Sequence, residues 1–471
     1  MYVAFFALYR LTVWRISGII TKESIFTRGG GGLDTVKRLC EKAVYGRFGQ
    51  GKFDLPVMIV AYLLPFLGII DGRLFAVAAA LYLPIIIYSA LSGGLYLLYP
   101  VFFFFYGQLV IPGGIVLFRL YTLAFMVRTV FMLVLRLWRR ETLGFRIARI
   151  AFAAFLLLTA LRYALFGGFI KLGAILDLCF LLCFATEAAE VGDGAGKRFS
   201  DFSVAFVFAS LASCVVGVFV SSEGRYLATL NDPNYLGFYL NIAILTVFLH
   251  PFFGRLWMKL PILGALYCAL IASESITGVI CNAAVVVFCI AVSAFMGRFR
   301  LKYLIIPLIC GVVALQLVFV SQSHDWGALT VASARVIDKL EALFIGDLSE
   351  FTTARSSLWR INLEKYIGFD FWESLFGGTA VSAVGRDMVL FPQTSHQELL
   401  DVLLSTGALG LTVYLALFIV IFVGDAVNLR KMPVNDRSAA WVRIGIKLIW
   451  LFYAFGLTMF LNGRFFVPLL V

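Results

Sequence analysis

Ile276–Met296 reads ITGVICNAAVVVFCIAVSAFM, an apolar run without a charged residue. As a helix rising 1.5 Å per residue it covers about 30 Å, the thickness of a bilayer's hydrocarbon core. Runs of the same kind recur at Leu55–Ile70, Leu74–Ser92, Leu95–Ile111, Ile115–Leu135, Ile150–Phe166, Leu172–Ala185 and Phe202–Val220. They continue with Tyr235–Leu249, Leu260–Ala272, Tyr303–Val320, Val402–Val423 and Trp441–Leu461. Together they predict an all-α polytopic membrane helix bundle of about 12–14 transmembrane helices. Composition agrees. Of 471 residues, 62% are hydrophobic and 14% charged, against about 25% charged in a soluble domain. Too little polar sequence remains for a sizeable soluble domain.

The net charge of +12 does not point to nucleic acid, because the basic residues sit between apolar runs rather than in one patch. One group is Arg136, Arg139, Arg140, Arg146 and Arg149; another is Arg255 and Lys259. Arg298, Arg300 and Lys302 form a third, and Arg430, Lys431, Arg437 and Arg443 a fourth. The N-terminal segment adds Lys37, Arg38, Lys42, Arg47 and Lys52. Threading the spans alternately puts all five groups on one side, which the positive-inside rule makes cytoplasmic. The expected organisation is a cytoplasmic or interfacial segment (1–52), a transmembrane bundle (53–320), a large extracytoplasmic loop (321–401) and C-terminal transmembrane helices (402–471). Met1–Ile20 is apolar but carries Arg10 and Arg15, which fits an interfacial helix, and it lacks the cleavage pattern of a signal peptide. Phe465–Val471 reads equally as the start of a further span or as a re-entrant piece.

Eight cysteines show no metal-ligand or redox-pair spacing. Cys179, Cys183, Cys268 and Cys289 lie inside apolar runs, where a thiol packs as a small apolar group. Arg119, Arg128, Arg162, Asp177 and Glu274 fall within or at the ends of apolar runs, where ionisable groups are functional candidates. For Arg162 and Asp177, on consecutive spans, an ion pair is the plainer account. Glu274 lies in Ser273-Glu274-Ser275-Ile276-Thr277-Gly278, a tight outward turn, where solvent exposure is expected.

Two polar connections face outward. Ser221–Asn234 contains Glu223-Gly224-Arg225 and Asn231-Asp232-Pro233-Asn234. Asp-Pro and Asn are helix-start residues, so this turn is expected to cap the span that begins at Tyr235. Arg225 has no such role; its planar fork suits a phosphate. The second connection, Ser321–Asp401, is long enough to imply function. Within it Ser356–Ile367 has helical spacing, with Arg355, Trp359, Asn362 and Tyr366 on one face. Arg355 and Arg360 offer phosphate-binding chemistry or a solvated helix face. Of the three histidines, His250 abuts Pro251 at a cytoplasmic span end and His324 sits beside Asp325 in the loop. His396 stands where the loop re-enters the membrane, in Thr394-Ser395-His396-Gln397-Glu398. Its imidazole can accept a proton near neutral pH. Alternatively, Ser395 caps a helix there with Glu398 at the capping-box position.

These elements together resemble the O-antigen polymerase and ligase superfamily. Gly224-Arg225 followed by Asp232-Pro233-Asn234-Tyr235 is similar to its Arg and Asp/Asn-Pro-Asn element. Ser273–Gly278 is similar to its Ser-x-Ser-x-x-Gly connection. Thr353-Ala354-Arg355-Ser356-Ser357-Leu358-Trp359 resembles the start of its loop helix, and Leu375-Phe376-Gly377-Gly378 the turn beyond. His396, Leu399-Leu400 and Gly407-Ala408-Leu409-Gly410 resemble its closing signature. Two positions depart: the family's His-Asn is His396-Gln397, and a Gly is replaced by Ala354.

The resemblance implies an all-helical, GT-C-like glycosyltransferase whose large outward loop holds short helices. It implies transfer of a glycan from undecaprenyl pyrophosphate on the outer face of the bacterial cytoplasmic membrane, with inversion and without metal or cofactor. His396 would be the base or orient the acceptor, and Arg225 and Arg355 would bind the pyrophosphate. Arg360, Asn234, Asp232, Tyr235 and Gln397 would line the substrate. The partners implied are the lipid-linked donor, a lipid-linked acceptor, membrane lipid and a chain-length regulator protein, with no nucleic acid. A polymerase of O-antigen, capsule or exopolysaccharide units is the first reading. A ligase to lipid A-core, or a protein O-glycosyltransferase, would use the same donor. A flippase for that lipid-linked glycan is the reading from another class, though no matching repeat of the late loop stands in the first half.

Overall fold

The computed structural model describes residues 55–111, 114–138, 153–155, 157–158, 172–189, 195–220, 226–230, 232–296, 338, 341, 345, 355–377, 397–431, 437–455 and 457. Residues 1–52, Tyr303–Val320, Arg162, His324 and the C-terminal tail from 458 lie outside them, as does most of Ile150–Phe166.

The described chain is mostly helical. It begins with α1 (Leu55–Leu63), a 3₁₀ turn (Leu64–Phe66) around Pro65, and α2 (Leu67–Ile70), then α3 (Leu74–Ser92) and α4 (Leu95–Phe104). Gly93, at φ 82, ends α3, and Leu74–Ser92 matches the sequence reading at both ends. The runs expected at Leu95–Ile111 and Ile115–Leu135 meet differently: they are joined by a short antiparallel hairpin, β1 (Val110–Ile111) and β2 (Ile115–Val116). Next come α5 (Leu117–Trp138), α6 (Leu172–Ala189), α7 (Ala195–Val220), α8 (Pro233–Leu249), α9 (Leu256–Ala272) and α10 (Ile276–Phe295). From the late part of the chain the structure describes α11 (Arg355–Ile367), α12 (Phe371–Phe376), α13 (Glu398–Lys431) and α14 (Arg437–Ala454).

Among the described residues five helices are long and apolar enough to cross a membrane: α3, α5, α7, α10 and α13. Their outward faces support that reading. Leu123, Val127, Val130 and Val134 form an exposed stripe on α5, and Leu415, Ile419, Val423 and Val427 one on α13. Large apolar side chains at helical spacing on the outside are the contacts that lipid satisfies and water does not.

The centre of the bundle is α8. Every residue from Leu236 to Phe248 is buried, and the helix packs against α7, α9, α10 and α14. Aromatic rings fill the adjoining core: Tyr239 meets Phe103, Phe104 and Phe206, and Tyr99 meets Phe180, Phe184 and Phe202. Asp177 and Lys259 are charged residues buried inside this bundle. Asp177 of α6 meets Arg119 of α5, since α5 and α6 pack together; the expected partner, Arg162, lies outside the described residues. Lys259 belongs to the first turn of α9, not to a connection. It is buried there because its ammonium donates to the Phe248 carbonyl at 3.0 Å.

Candidate functional site

The turn that follows Arg225 is built into the bundle. The Tyr226 hydroxyl donates to the Cys214 carbonyl. Thr229 Oγ1 donates to the Phe104 carbonyl at 2.6 Å and accepts from Ser213 Oγ at 2.6 Å. Gln108 Nε2 donates to the Thr229 carbonyl at 3.2 Å. Ala228 adopts φ 50 and presses so closely on α7 that any side chain at Gly217 would meet its Cα at 2.3 Å. Arg225 itself lies outside the described residues, but the chain leaving it is fixed on α4 and α7.

Seven residues after Arg225, Asp232 caps α8. Its carboxylate accepts from the backbone N–H groups of Asn234 (2.7 Å) and Tyr235 (3.4 Å), with Pro233 at the first turn, which is N-cap chemistry. Asp232 is therefore a positioning residue in this structure. Asn234 Oδ1 accepts from Ser275 Oγ at 3.0 Å, so the starts of α8 and α10 lie side by side. Ser275 also caps α10, accepting from Gly278 N–H at 3.1 Å. Helix starts carry partial positive charge and unpaired N–H groups, an arrangement that favours anions.

The Ser273–Ser275 turn corrects the sequence reading. Glu274 is buried, not exposed, and adopts φ 54. Ser273 and Ser275 are buried with it because hydrogen bonds fold the turn inward: Ser273 Oγ donates to the Leu270 carbonyl and accepts from Ser275 N–H. Ala228 and Glu274 are the non-glycine residues with positive φ among those described. Such strain persists where the surroundings over-determine it and gathers at functional sites. Below this level Asn241 Nδ2 donates to the carbonyls of Gly237 and Gly278 at 2.9 Å, and its Oδ1 accepts from Asn282 at 3.0 Å. The polar ladder thus continues between α8 and α10.

The large loop contributes a second pair of contacts. The helical reading of Ser356–Ile367 corresponds to α11. Asn362 is buried and Trp359 and Tyr366 are half-buried on one side, while Ser357, Arg360 and Glu364 are exposed on the other. Arg355 opens the helix. Arg360 lies on the open face, its side chain 81% exposed and paired with Glu364 at 3.2 Å. After α12 the chain turns at Gly377 (φ 95) directly onto α13. A Cβ on Gly377 would lie 2.4 Å from the Ser405 carbonyl oxygen, and one on Gly407 would lie 2.3 Å from the Leu375 backbone.

Gly407, at φ 67 and ψ −174, breaks α13 into two helices. The first begins at Gln397, whose Oε1 accepts from Leu400 N–H at 2.7 Å. Gln397 thus supplies an N-cap bond, and Ser395, the cap expected with Glu398 as its box partner, lies outside the described residues. Glu398 is fully buried and its Oε1 accepts from the Tyr414 hydroxyl at 2.6 Å. Asp401 is buried one turn later. His396, adjacent in sequence to this cap, lies outside the described residues. Glu398 and Asp401 were missed as site candidates. Two carboxylates inside one apolar-rich turn were the available signal.

His250 has a structural role. Its Nδ1 accepts from Phe252 N–H at 3.2 Å, which leaves the proton on Nε2, 2.9 Å from Ser200 Oγ. Burial lowers its pKa to about 4.

No family model matches the chain, and no curated protein is significantly similar to it in sequence.

Proposed function

We propose that the chain is a membrane glycosyltransferase of the polysaccharide repeat-unit polymerase kind. It takes a glycan from an undecaprenyl-pyrophosphate donor and joins it to a sugar hydroxyl of a lipid-linked acceptor, on the outer face of the bacterial cytoplasmic membrane. The observation that supports this best is how the family-like elements pair. The Asp232–Tyr235 element is hydrogen-bonded to the Ser273–Gly278 turn through Asn234 and Ser275. The turn at Gly377 is seated on Ser405–Gly407 of the closing element. Stretches far apart in sequence that carry family-like motifs thus meet in pairs.

In this reading the acceptor hydroxyl oxygen attacks the anomeric carbon, and the bond from that carbon to the pyrophosphate oxygen breaks with inversion. The hydroxyl proton passes to His396, and the electron pair leaves with the pyrophosphate. Arg225 and Arg355 offset the charge that develops there, the kind of electrostatic help that usually dominates catalysis. The start of α10, capped by the neutral Ser275, adds partial positive charge, whereas that of α8 is offset by the Asp232 carboxylate. The turn that follows Arg225 is anchored and the helix that follows His396 is capped, the kind of rigid support that a preorganised site calls for.

The test is reconstitution in liposomes with purified undecaprenyl-pyrophosphate repeat units. A ladder of lipid-linked product is expected from the native chain and none from Arg225→Ala or His396→Ala. Transfer solely to an added core lipid would make the chain a ligase. A normal ladder from both variants would sink the assignment.

A further inference from the structure

The elbow between α11 and α12 carries three large apolar side chains in the open. Ile367, Phe371 and Trp372 are 74%, 70% and 61% exposed. The elbow cannot turn them inward, because its backbone is fixed. Asp370 caps α12 by accepting from Glu373 N–H at 2.8 Å, and the Tyr366 hydroxyl donates to the Ser374 carbonyl at 3.0 Å. Phe371 stands edge-on to Trp372, whose ring stacks on Phe376 at 6.1 Å. Apolar groups held outward in this way need a solvent other than water.

The level of the elbow follows from α13. From the break at Gly407, Ala408–Val427 rises about 30 Å, one hydrocarbon thickness, with Arg430 and Lys431 beyond its far end. Gly407 therefore stands at one membrane boundary. Gly377 is seated on Ser405 beside that break, and Trp372 lies five residues earlier, within about 8 Å along α12. The headgroup region is itself about 5–8 Å deep on each side. Whichever way α12 tilts, the elbow is within reach of that layer. Trp at this depth is characteristic, since its ring is apolar and its N–H polar.

We propose that Ile367, Phe371 and Trp372 insert into the headgroup–acyl boundary of the bilayer leaflet beside Gly407 and moor the loop helices to the membrane surface. The occupant is bulk lipid. This holds whichever side of the membrane the loop faces and whatever reaction the chain performs.

The full chain in lipid nanodiscs tests it, comparing native protein with Trp372→Phe. The difference in tryptophan emission isolates Trp372. That emission should be blue-shifted and lose most of its intensity when the lipid is brominated near the carboxyl end of its acyl chains. Aqueous iodide should quench it weakly. Emission quenched by iodide and indifferent to brominated lipid would overturn the proposal. So would emission that neither quencher reaches, which would mean that protein covers the elbow. Should Trp372→Phe fail to fold, Trp372→Tyr gives the same subtraction.

Discussion

Tyr414 and Glu398 stand sixteen residues apart in one helical run, yet the tyrosine hydroxyl donates to the glutamate at 2.6 Å. A straight α-helix would hold them about 24 Å apart. The run therefore folds back at Gly407, and its first two turns lie against its own later part. A buried carboxylate and a buried phenol mark the closure. Glu398 stands two residues after His396, at the end of the large loop.

Tyr414→Phe removes the hydroxyl and leaves the ring, which packs on Phe155 and Trp450. A hydrogen bond to a charged group contributes about 1.5–3 kcal/mol, so unfolding in detergent should come earlier by that order. On the proposed function, lipid-linked product should also shorten, because the fold-back positions the start of α13. Unchanged stability would mean that Glu398 is held by its other contacts.

Gly407→Ala tests the break itself. The substitution puts a Cβ against the Leu375 carbonyl at a positive φ, a conformation that costs about 1–3 kcal/mol for a non-glycine residue. Gly424, in the same helix run, has open space around it. There the change to Ala should stabilise by roughly 0.5–1 kcal/mol. Opposite signs in thermal unfolding are expected. Equal effects would argue that α13 runs straight.

How much of this the sequence disclosed depends on how local the cause is. Hydropathy is local, so Leu74–Ser92 was legible to the residue, with Gly93 to end it. Caps are local too, and the Asp232-Pro233 turn caps its helix as its residues predict. The break at Gly407 was not legible, because its cause is Leu375–Gly377 arriving from elsewhere in the chain. Burial of Glu274 likewise depends on helices brought over the turn. Asp177 pairs with Arg119 because α5 and α6 present those faces to one another, which spacing along one helix does not reveal. Lys259 was read as a loop charge, since nothing nearby in sequence announces that a carbonyl will receive it.

His250 should make stability pH-dependent on the acid side. The unfolded imidazole titrates near 6.5 and the folded one near about 4. Between those values the unfolded chain binds a proton that the folded chain does not, so stability rises with pH. The contribution is complete above about pH 6.5 and falls away as pH drops toward 4, by about 3 kcal/mol at most. His250→Asn keeps an acceptor for Phe252 N–H and has nothing to titrate. Thermal unfolding across this window should slope more steeply for the native chain than for the variant. Parallel curves would refute the account.

The last test concerns the ion cluster that joins α13 to α14. Asp425 is flanked by two cations of α14: Lys447, in direct contact, and Arg443, whose Nε lies 3.2 Å away. The Arg443 contact is ionic rather than a hydrogen bond, since that N–H lacks a partner at good geometry, and the guanidinium also stands over the Phe199 ring at 5.1 Å. Asp425 and Lys447 are both buried. Removing one partner of a buried pair leaves an uncompensated charge and costs about 3–5 kcal/mol, whereas replacing both by apolar groups can be nearly neutral. Asp425→Leu alone should therefore lower stability sharply, because two cations then face one another without their anion. Asp425→Leu combined with Lys447→Leu should recover part of the loss, since Arg443 still lacks its anion and keeps only the aromatic ring. Chemical denaturation of the purified protein in detergent reads the order of the three. A double variant less stable than the single one would mean that Lys447 holds α14 by contacts other than its charge.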